Sequence, residues 1–391
     1  MNFDEEINRI GTRSNKWDEM ERFYGVSPTE GLPMWVADMD FRPPVSVQKA
    51  LEKHLSEGIF GYYGGDGGAY KDAIRWWMRT RHNWEVEADS IFTTFGLVNG
   101  VAVCIDAFTK AGDGVVLMTP VYHAFARVIK AAERDVVECP LALQDDRYVM
   151  DFDAWDAQMT GNERMLILCS PHNPGGQVWT LAELEAVAAF CIRHDLILVS
   201  DEIHHDLVYP GHKHTVAPLA MPNMLDRLIV MTACSKTFNL AGPHCGNVII
   251  SDPALRARFG ARLSALGISS SSFGLIVATA AYTPEGVEWL EALLTYLEGN
   301  RDILIKGLAA IPGVKPMPME ATYLCWVDFS GTGMSAQEVQ ARVEKDAKIA
   351  ANHGASFGKG GETYLRFNIA TPRARIVEAV SWLQKAFGDL Q

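Results

Sequence analysis

Long hydrophobic runs are missing from this chain: no apolar stretch approaches the roughly 20 residues that a membrane-spanning helix needs, so no such helix is expected. Paired cysteines are missing too. The seven, at positions 104, 139, 169, 191, 234, 245 and 325, are odd in number and scattered, and none forms a Cys-x-x-Cys pair. Neither a zinc site nor a disulfide framework is suggested. Cations are in deficit, with 35 Lys and Arg against 48 Asp and Glu and a formal net charge of −13. Phosphate backbones are bound by clustered cations, so a nucleic-acid partner is not expected. The first residues, Met1 to Glu6, are acidic and lack the basic and apolar regions of a signal peptide. With the scattered cysteines, this points to a reduced, cytoplasmic protein without internal repeats or low-complexity segments.

What is present fits a large soluble enzyme. The 391 residues, 48% apolar and 21% charged, are enough for two domains and a sizeable core. Residues 1–45, with prolines at 28, 33, 43 and 44, read as irregular. Helices are expected over 48–56, ended by Gly58, over 72–81, and from Val98 with Val101, Ala102, Ile105 and Phe108 on the apolar face and Gly112 at the end. Strands at 91–94, 115–118, 136–137, 165–169, 196–199, 228–231 and 248–250 alternate with helices at 125–132 and from Thr180, where Glu183 completes a capping box. This alternation predicts a mostly parallel sheet covered on both faces. Past Asp252 the pattern changes to long helices over 253–265 and 286–310. A strand at 323–328 follows, then a helix from Ser335 capped with Glu338, a strand at 364–369 and a closing helix from Arg373. The expected organisation is an N-terminal segment, 1–45, packing with the small domain, a large domain, 46–285, and a small α+β domain, 286–391.

The stretch from Thr232 to Asn247 carries the first candidate chemistry. Lys236 stands among small, hydroxylated and glycine residues between two buried strands. A lysine desolvated there has a lowered pKa and becomes a nucleophile toward carbonyls. Read alone, it is equally a solvated loop lysine. Ligands of parallel sheets sit at the carboxyl ends of strands, and Tyr122, Asn173, Asp201 and Lys236 each follow an expected strand. The turn Gly96-Leu97-Val98 opens a helix whose free N–H groups offer an anion site. Phe60 to Gly68 is a glycine-rich loop with two tyrosines, a weak phosphate-cradle signal by itself.

Together these residues carry a resemblance. Ala37-Asp38-Met39-Asp40-Phe41, Phe60-Gly61-Tyr62, Thr119-Pro120-Val121-Tyr122 and Ser170-Pro171-His172-Asn173-Pro174-Gly175-Gly176 are its first markers. Ser200-Asp201-Glu202-Ile203-His204, Ser235-Lys236-Thr237-Phe238-Asn239 and Arg366-Phe367-Asn368 complete it. In this order and spacing the chain resembles, over nearly its whole length, the fold type I pyridoxal 5'-phosphate (PLP) enzymes of the class I/II aminotransferase family. It is most similar to their cystathionine β-lyase-like C–S lyase branch. The resemblance implies the aspartate aminotransferase-like α/β fold and PLP as cofactor. It implies Lys236 as the covalent attachment and proton shuttle, Asp201 facing the pyridine nitrogen, and Asn173 donating to the ring hydroxyl oxygen. Tyr122 would stack on the ring, with Gly96, Leu97, Val98 and Ser235 on the phosphate and Arg366 on the substrate α-carboxylate. Tyr62 would reach the phosphate of a neighbouring subunit, implying a homodimer with shared sites.

Three departures from the aminotransferase pattern stand out. His244 replaces a phosphate-binding arginine, Ala233 replaces a serine, and His204 stands where some relatives place a tyrosine on the ring hydroxyl. Phosphate binding should then lean on backbone amides and on His244. The leading expectation is β-elimination from an L-cysteine S-conjugate such as cystathionine, giving a thiol, pyruvate and ammonia. A transaminase uses the same residues and is the alternative, with no motif-matched cation for a distal carboxylate. A weakly catalytic PLP-binding regulator is the third reading, although the acidic N-terminus supplies no basic DNA-binding domain.

Overall fold

The computed structural model describes residues 1–63 and 67–390; Gly64, Gly65 and Asp66 of the glycine-rich loop lie outside the described residues. Seven strands build the main sheet: β1 Ile91–Thr94, β2 Gly114–Leu117, β3 Asp135–Glu138, β4 Glu163–Cys169, β5 Ile197–Asp201, β6 Leu228–Thr232 and β7 Gly246–Ile249. Their spatial order is β1-β7-β6-β5-β4-β2-β3. All run parallel except β7, which is antiparallel to both neighbours. The strands read as unbroken apolar runs because both faces are covered. Met165, Ile167 and Cys169 of β4 enter one apolar cluster, while Leu166 and Leu168 enter the other. Each such side chain contributes roughly 1.5–3 kcal/mol by leaving water.

The main helices are α1 Val45–Glu57, α2 Gly68–His82, α3 Leu97–Phe108, α4 Ala124–Ala131, α5 Leu181–Arg193, α6 Pro253–Ala265, α7 Ser272–Ala281, α8 Pro284–Ala309 and α9 Arg373–Ala386. Gly58 closes α1 in the left-handed region, and Thr180 with Glu183 forms the full capping box of α5. Gly112 does not end α3; the helix stops at Phe108 with Thr109 extended, and Gly112 instead serves the turn into β2. Helix α7 escaped the sequence pattern because its stretch, SFGLIVATAA, is apolar or small all round and has no periodic stripe. Among the described residues no helix is long and apolar enough to cross a membrane.

A second sheet, β8 Lys315–Pro316, β9 Leu324–Asp328, β10 Asn352–His353 and β11 Tyr364–Asn368, is antiparallel in the order β8-β9-β11-β10. Its register sets Arg366 between Trp326 on one side and Asn352 on the other. The first 45 residues are more ordered than expected. They hold short helices at Asn15–Asp18 and Met20–Tyr24, and Leu32–Pro33 pairs in parallel with Ile349–Ala350. A buried ion cluster organises them. Lys16 Nζ lies 2.9 Å from Asp40 Oδ2, and Arg9 and Trp17 donate to Asp40 Oδ1 at 2.8 and 2.9 Å. Against the cost of burial, Lys16 and these donors hold the Asp40 carboxyl down to about 2.

Candidate active site

The carboxyl ends of the parallel strands open onto a cavity of about 680 Å³. Its wall includes Gly96, Leu97, Val98, Tyr122, Asn173, Asp201, His204, Ser235, Lys236, His244 and Arg366. The loops that carry these residues are stitched together by their backbones. Ser170 N donates to Asp201 O at 2.9 Å, Glu202 N to Met231 O at 2.8 Å, and Val121 N to Phe357 O at 2.8 Å. His172 bridges to Pro120 O at 3.0 Å. The side chains at the strand ends are thus set by a rigid frame.

Lys236 sits in a single helical turn, Cys234–Thr237, directly after β6. Its Nζ donates to Ala37 O at 2.6 Å. Burial pushes its pKa down to about 8; Arg366 adds to the shift, and Asp38 and Asp201 oppose it. Asp201 ends β5, and the one hydrogen bond to its carboxylate among the described residues comes from Ile203 N at 3.1 Å. Burial pushes this carboxyl up to about 7, with Glu202 adding to the shift and the Ile203 amide and Lys236 opposing it.

Arg366 is almost fully buried, yet no carboxylate touches it among the described residues. Its Nη1 donates to Asn173 Oδ1 at 2.9 Å, and its Nη2 to Trp35 O at 3.0 Å and Asn352 Oδ1 at 2.5 Å. Its Nε is buried without a partner. Burial lowers this guanidinium to about 10. A buried cation with only neutral acceptors is costly, and an incoming carboxylate relieves that cost. Because arginine only donates, the Asn173 atom facing it must be the oxygen. The Asn173 amide NH₂ is left to donate elsewhere.

Helix α3 begins at Gly96, whose φ of +75° requires glycine. The first i→i−4 bond runs from Gly100 N to Gly96 O, so the amides of Leu97 to Asn99 are free of that ladder. Gly246 of β7 permits the close approach, since a Cβ there would come within 2.8 Å of the Gly96 carbonyl carbon. His204 is buried with Nδ1 unpartnered, and burial, Lys236 and Arg366 hold its pKa well below the usual range. His244 is exposed at the cavity edge with φ +50°. Tyr62 is apart from the rest: it is fully exposed and lines a different depression, with Tyr63, Lys71 and Ser269. Sequence reasoning missed several wall residues: Trp35 and Ala37 contribute carbonyls, while Asn352, His123 and Arg127 contribute side chains. The mixed stretch around Asp38 was a visible signal for the first two; Asn352, an ordinary polar residue on a two-residue strand, offered none.

The sequence matches the family described as aminotransferase class I and II over residues 33–383. The chain belongs to that family. It is 38% identical to cystathionine beta-lyase PatB of Bacillus subtilis (strain 168) over 389 residues, 99% of this chain and 100% of that protein. Cystalysin from Treponema denticola, solved with a pyridoxal 5'-phosphate cofactor, matches with a TM-score of 0.94 at 36% identity, covering 100% of this chain and 99% of the other. A PLP-bound C–S lyase from Staphylococcus hominis matches with a TM-score of 0.89 at 29% identity, covering 99% and 98%. The fold is that of these PLP-dependent enzymes, and homologues of this chain are C–S lyases.

The residues present fit the family's cofactor. A phosphate finds the free amides at the start of α3, with Ser235 and His244 on the same wall. Asp201 is a buried carboxylate short of donors, suited to a protonated pyridine nitrogen. The NH₂ of Asn173, the ring of Tyr122 and the amine of Lys236 face the same space.

Proposed function

We propose that this chain is a PLP-dependent C–S β-lyase that cleaves L-cysteine S-conjugates, such as L-cystathionine, to a thiol, pyruvate and ammonia. The observation that carries the reading is the cavity wall, where Lys236, Asp201 and an acid-free, buried Arg366 face one space. When bound, PLP supplies an electron sink for the pair freed at the substrate Cα. Lys236 holds the cofactor and then, as a free amine with a depressed pKa, takes the Cα proton. Asp201 would keep a proton on the ring nitrogen, and Asn173 would donate its NH₂ to the ring hydroxyl oxygen. Tyr122 covers the ring face. The start of α3, Ser235 and His244 would hold the phosphate, and His204 would serve the ring hydroxyl. Arg366 grips the α-carboxylate and so fixes which Cα bond is aligned. In the β-elimination the pair freed at Cα would form a Cα=Cβ bond as the Cβ–S pair leaves with sulfur. The thiolate takes up a proton, and water converts the unsaturated amino acid to pyruvate and ammonia.

The purified holoenzyme given L-cystathionine should release pyruvate and ammonia in equal amounts without an added keto acid. Turnover that requires a keto-acid acceptor and yields no ammonia replaces this reading with transamination, which uses the same residues. Absence of any turnover leaves a PLP-binding regulator. The same proposal places the division between the large and small domains near residue 285, residues 1–45 with the small domain, and the protein in the cytoplasm, where its seven buried, unpaired cysteines stay reduced. It also includes a homodimer. Ile59, Phe60, Tyr62 and Tyr63 form an exposed apolar stretch away from their own cavity, a composition typical of a covered surface. Mixing a Tyr62→Phe with a Lys236→Ala protein should regenerate some complete sites; subunit exchange without regained activity counts against shared sites.

A further inference from the structure

The cavity holds two arginines, and the proposed reaction uses only one. Arg127 lies on α4, one helical turn beyond His123, and both line the cavity. In contrast to Arg366, it is exposed. Among the described residues its side chain takes part in no hydrogen bond or ion pair, although other exposed arginines, such as Arg42 with Glu5, are paired. The surroundings are also poor in acids. Asp201 is the single carboxylate on the described cavity wall. In a chain with a net charge of −13, a wall with one carboxylate against Lys236, Arg366 and an unpaired Arg127 is a local reversal of sign.

The groups along the wall set the chemistry of a ligand. The Arg366 guanidinium lies 4.9 Å from the centre of the Phe357 ring, and His123 meets that ring edge-on at 5.6 Å. Desolvation lowers the His123 pKa to about 4, with Arg366 and then Arg127, one turn further along α4, adding to the shift. The direction of that shift disfavours a second cation at His123, which offers its ring nitrogens as a hydrogen-bonding surface. Arg366, His123 and Arg127 line one cavity, so a ligand with a carboxylate at each end finds an arginine for each. An S-methyl group brings no second carboxylate, whereas a leaving group built on an amino-acid or other carboxylic-acid thiol does.

We propose that Arg127, with His123 beside it, is a subsite for the distal carboxylate of the substrate, so that the enzyme selects thioethers carrying a second carboxylate on the leaving side. A guanidinium receives a carboxylate through two parallel hydrogen bonds, so this subsite discriminates by charge. The inference rests on the lyase reading for its catalytic consequence and on the cavity alone for its binding consequence.

The test compares wild-type holoenzyme with Arg127→Ala and Arg127→Lys. The ratio of kcat/KM for L-cystathionine to that for S-methyl-L-cysteine should fall about tenfold in Arg127→Ala, within the range of a charge-assisted hydrogen bond at an open site. The fall should lie mainly in the KM for L-cystathionine, and Arg127→Lys should restore part of it. Binding is read separately from the change in cofactor absorbance on titration with L-2-aminopimelate and its uncharged-tail counterpart L-2-aminoheptanoate. Arg127→Ala should weaken the first relative to the second by a similar factor. Equal losses for both ligands overturn the proposal. So does a matching loss of PLP affinity, which would assign Arg127 to the phosphate. If wild-type protein releases no pyruvate from either thioether, the lyase reading fails, while the paired titrations still decide the subsite.

Discussion

Asp201 and Asp206 are five residues apart at the end of one strand, both buried, and their environments push them in opposite directions. Asp201 faces the cavity with one amide donor, and burial raises its carboxyl to about 7. Asp206 faces inward and, despite the same cost of burial, is held well below the carboxylate range by His205, His82 and their hydrogen bonds. Trp77 Nε1 reaches its Oδ1 at 3.0 Å, His82 Nε2 the same oxygen at 2.9 Å, and Thr237 Oγ1 its Oδ2 at 2.8 Å. His205 Nε2 lies 3.1 Å from Oδ2. Burial alone therefore does not decide the state of a carboxylate; the number of donors aimed at it does. The first aspartate is left ready for a cationic partner. The second is already satisfied and ties Thr237, and with it the turn of Lys236, to α2.

The largest expected effect lies on the cavity side. Lys236→Ala should lower lyase turnover by about 10²–10⁴-fold, the range for loss of a positioned proton-transfer group, while urea unfolding changes little. Borohydride reduction of the wild-type holoenzyme and peptide mapping should place the pyridoxyl group on Lys236. A label on another lysine ends the assignment.

On the inner side the ranking should invert. Asp206→Asn leaves His82, His205 and Thr237 around a neutral amide and should cost about 3–5 kcal/mol of stability, the range for breaking a buried charged pair. Denaturant titration measures this directly. Should Asp206→Asn unfold like the parent, the inner network is not the brace described here.

The two faces were unequally legible before the structure. Lys236, Asp201, Asn173 and Tyr122 could be read because each closely follows a buried strand, a place the parallel sheet assigns to ligands. The Asp206 network could not, since Trp77, His82 and Thr237 come from three distant stretches and no local pattern joins them. Lys16 was illegible for the same reason: nothing near it in sequence announces a fully buried ammonium, because its partner Asp40 arrives through the fold. Arg127 was not singled out by the sequence, because a lone arginine on an amphipathic helix carries no sign of the cavity it lines. Periodicity failed for α7, where every face is apolar or small.

The difference between the aspartates also has a pH signature in the apoprotein. Asp201 is raised in the folded state, so the unfolded chain releases this proton first as pH rises. Its contribution to stability therefore falls between about pH 4, the unfolded value, and about pH 7, the folded value. Asp201→Asn removes that loss and should stabilise the apoprotein at pH 8 by up to about 4 kcal/mol, with little gain at pH 4. Asp206 has the opposite sign: its contribution is present above the unfolded value and is lost as pH falls through the depressed folded one. Apoprotein stability curves for Asp201→Asn and the parent that run parallel from pH 4 to 8 would show that Asp201 is not raised.

The smallest effect tests whether the two regions are joined. Thr237 is the neighbour of Lys236, and its hydroxyl donates to Asp206 Oδ2. Thr237→Val keeps the shape and removes one bond to a charged acceptor that retains the Trp77 and His82 donors and the nearby His205. The expected cost is about 1–2 kcal/mol of stability, near the lower end for hydrogen bonds to charged groups. If the bond also aims the lysine, kcat should fall by about threefold while KM changes little, because the group that is displaced moves the proton and does not grip the carboxylate. The Asp206→Asn background separates this from general loosening. There the Thr237→Val substitution should cost less than it does alone, since residues sharing one bond are not additive. Strict additivity in both stability and kcat would mean that the inner network supports the fold without positioning Lys236.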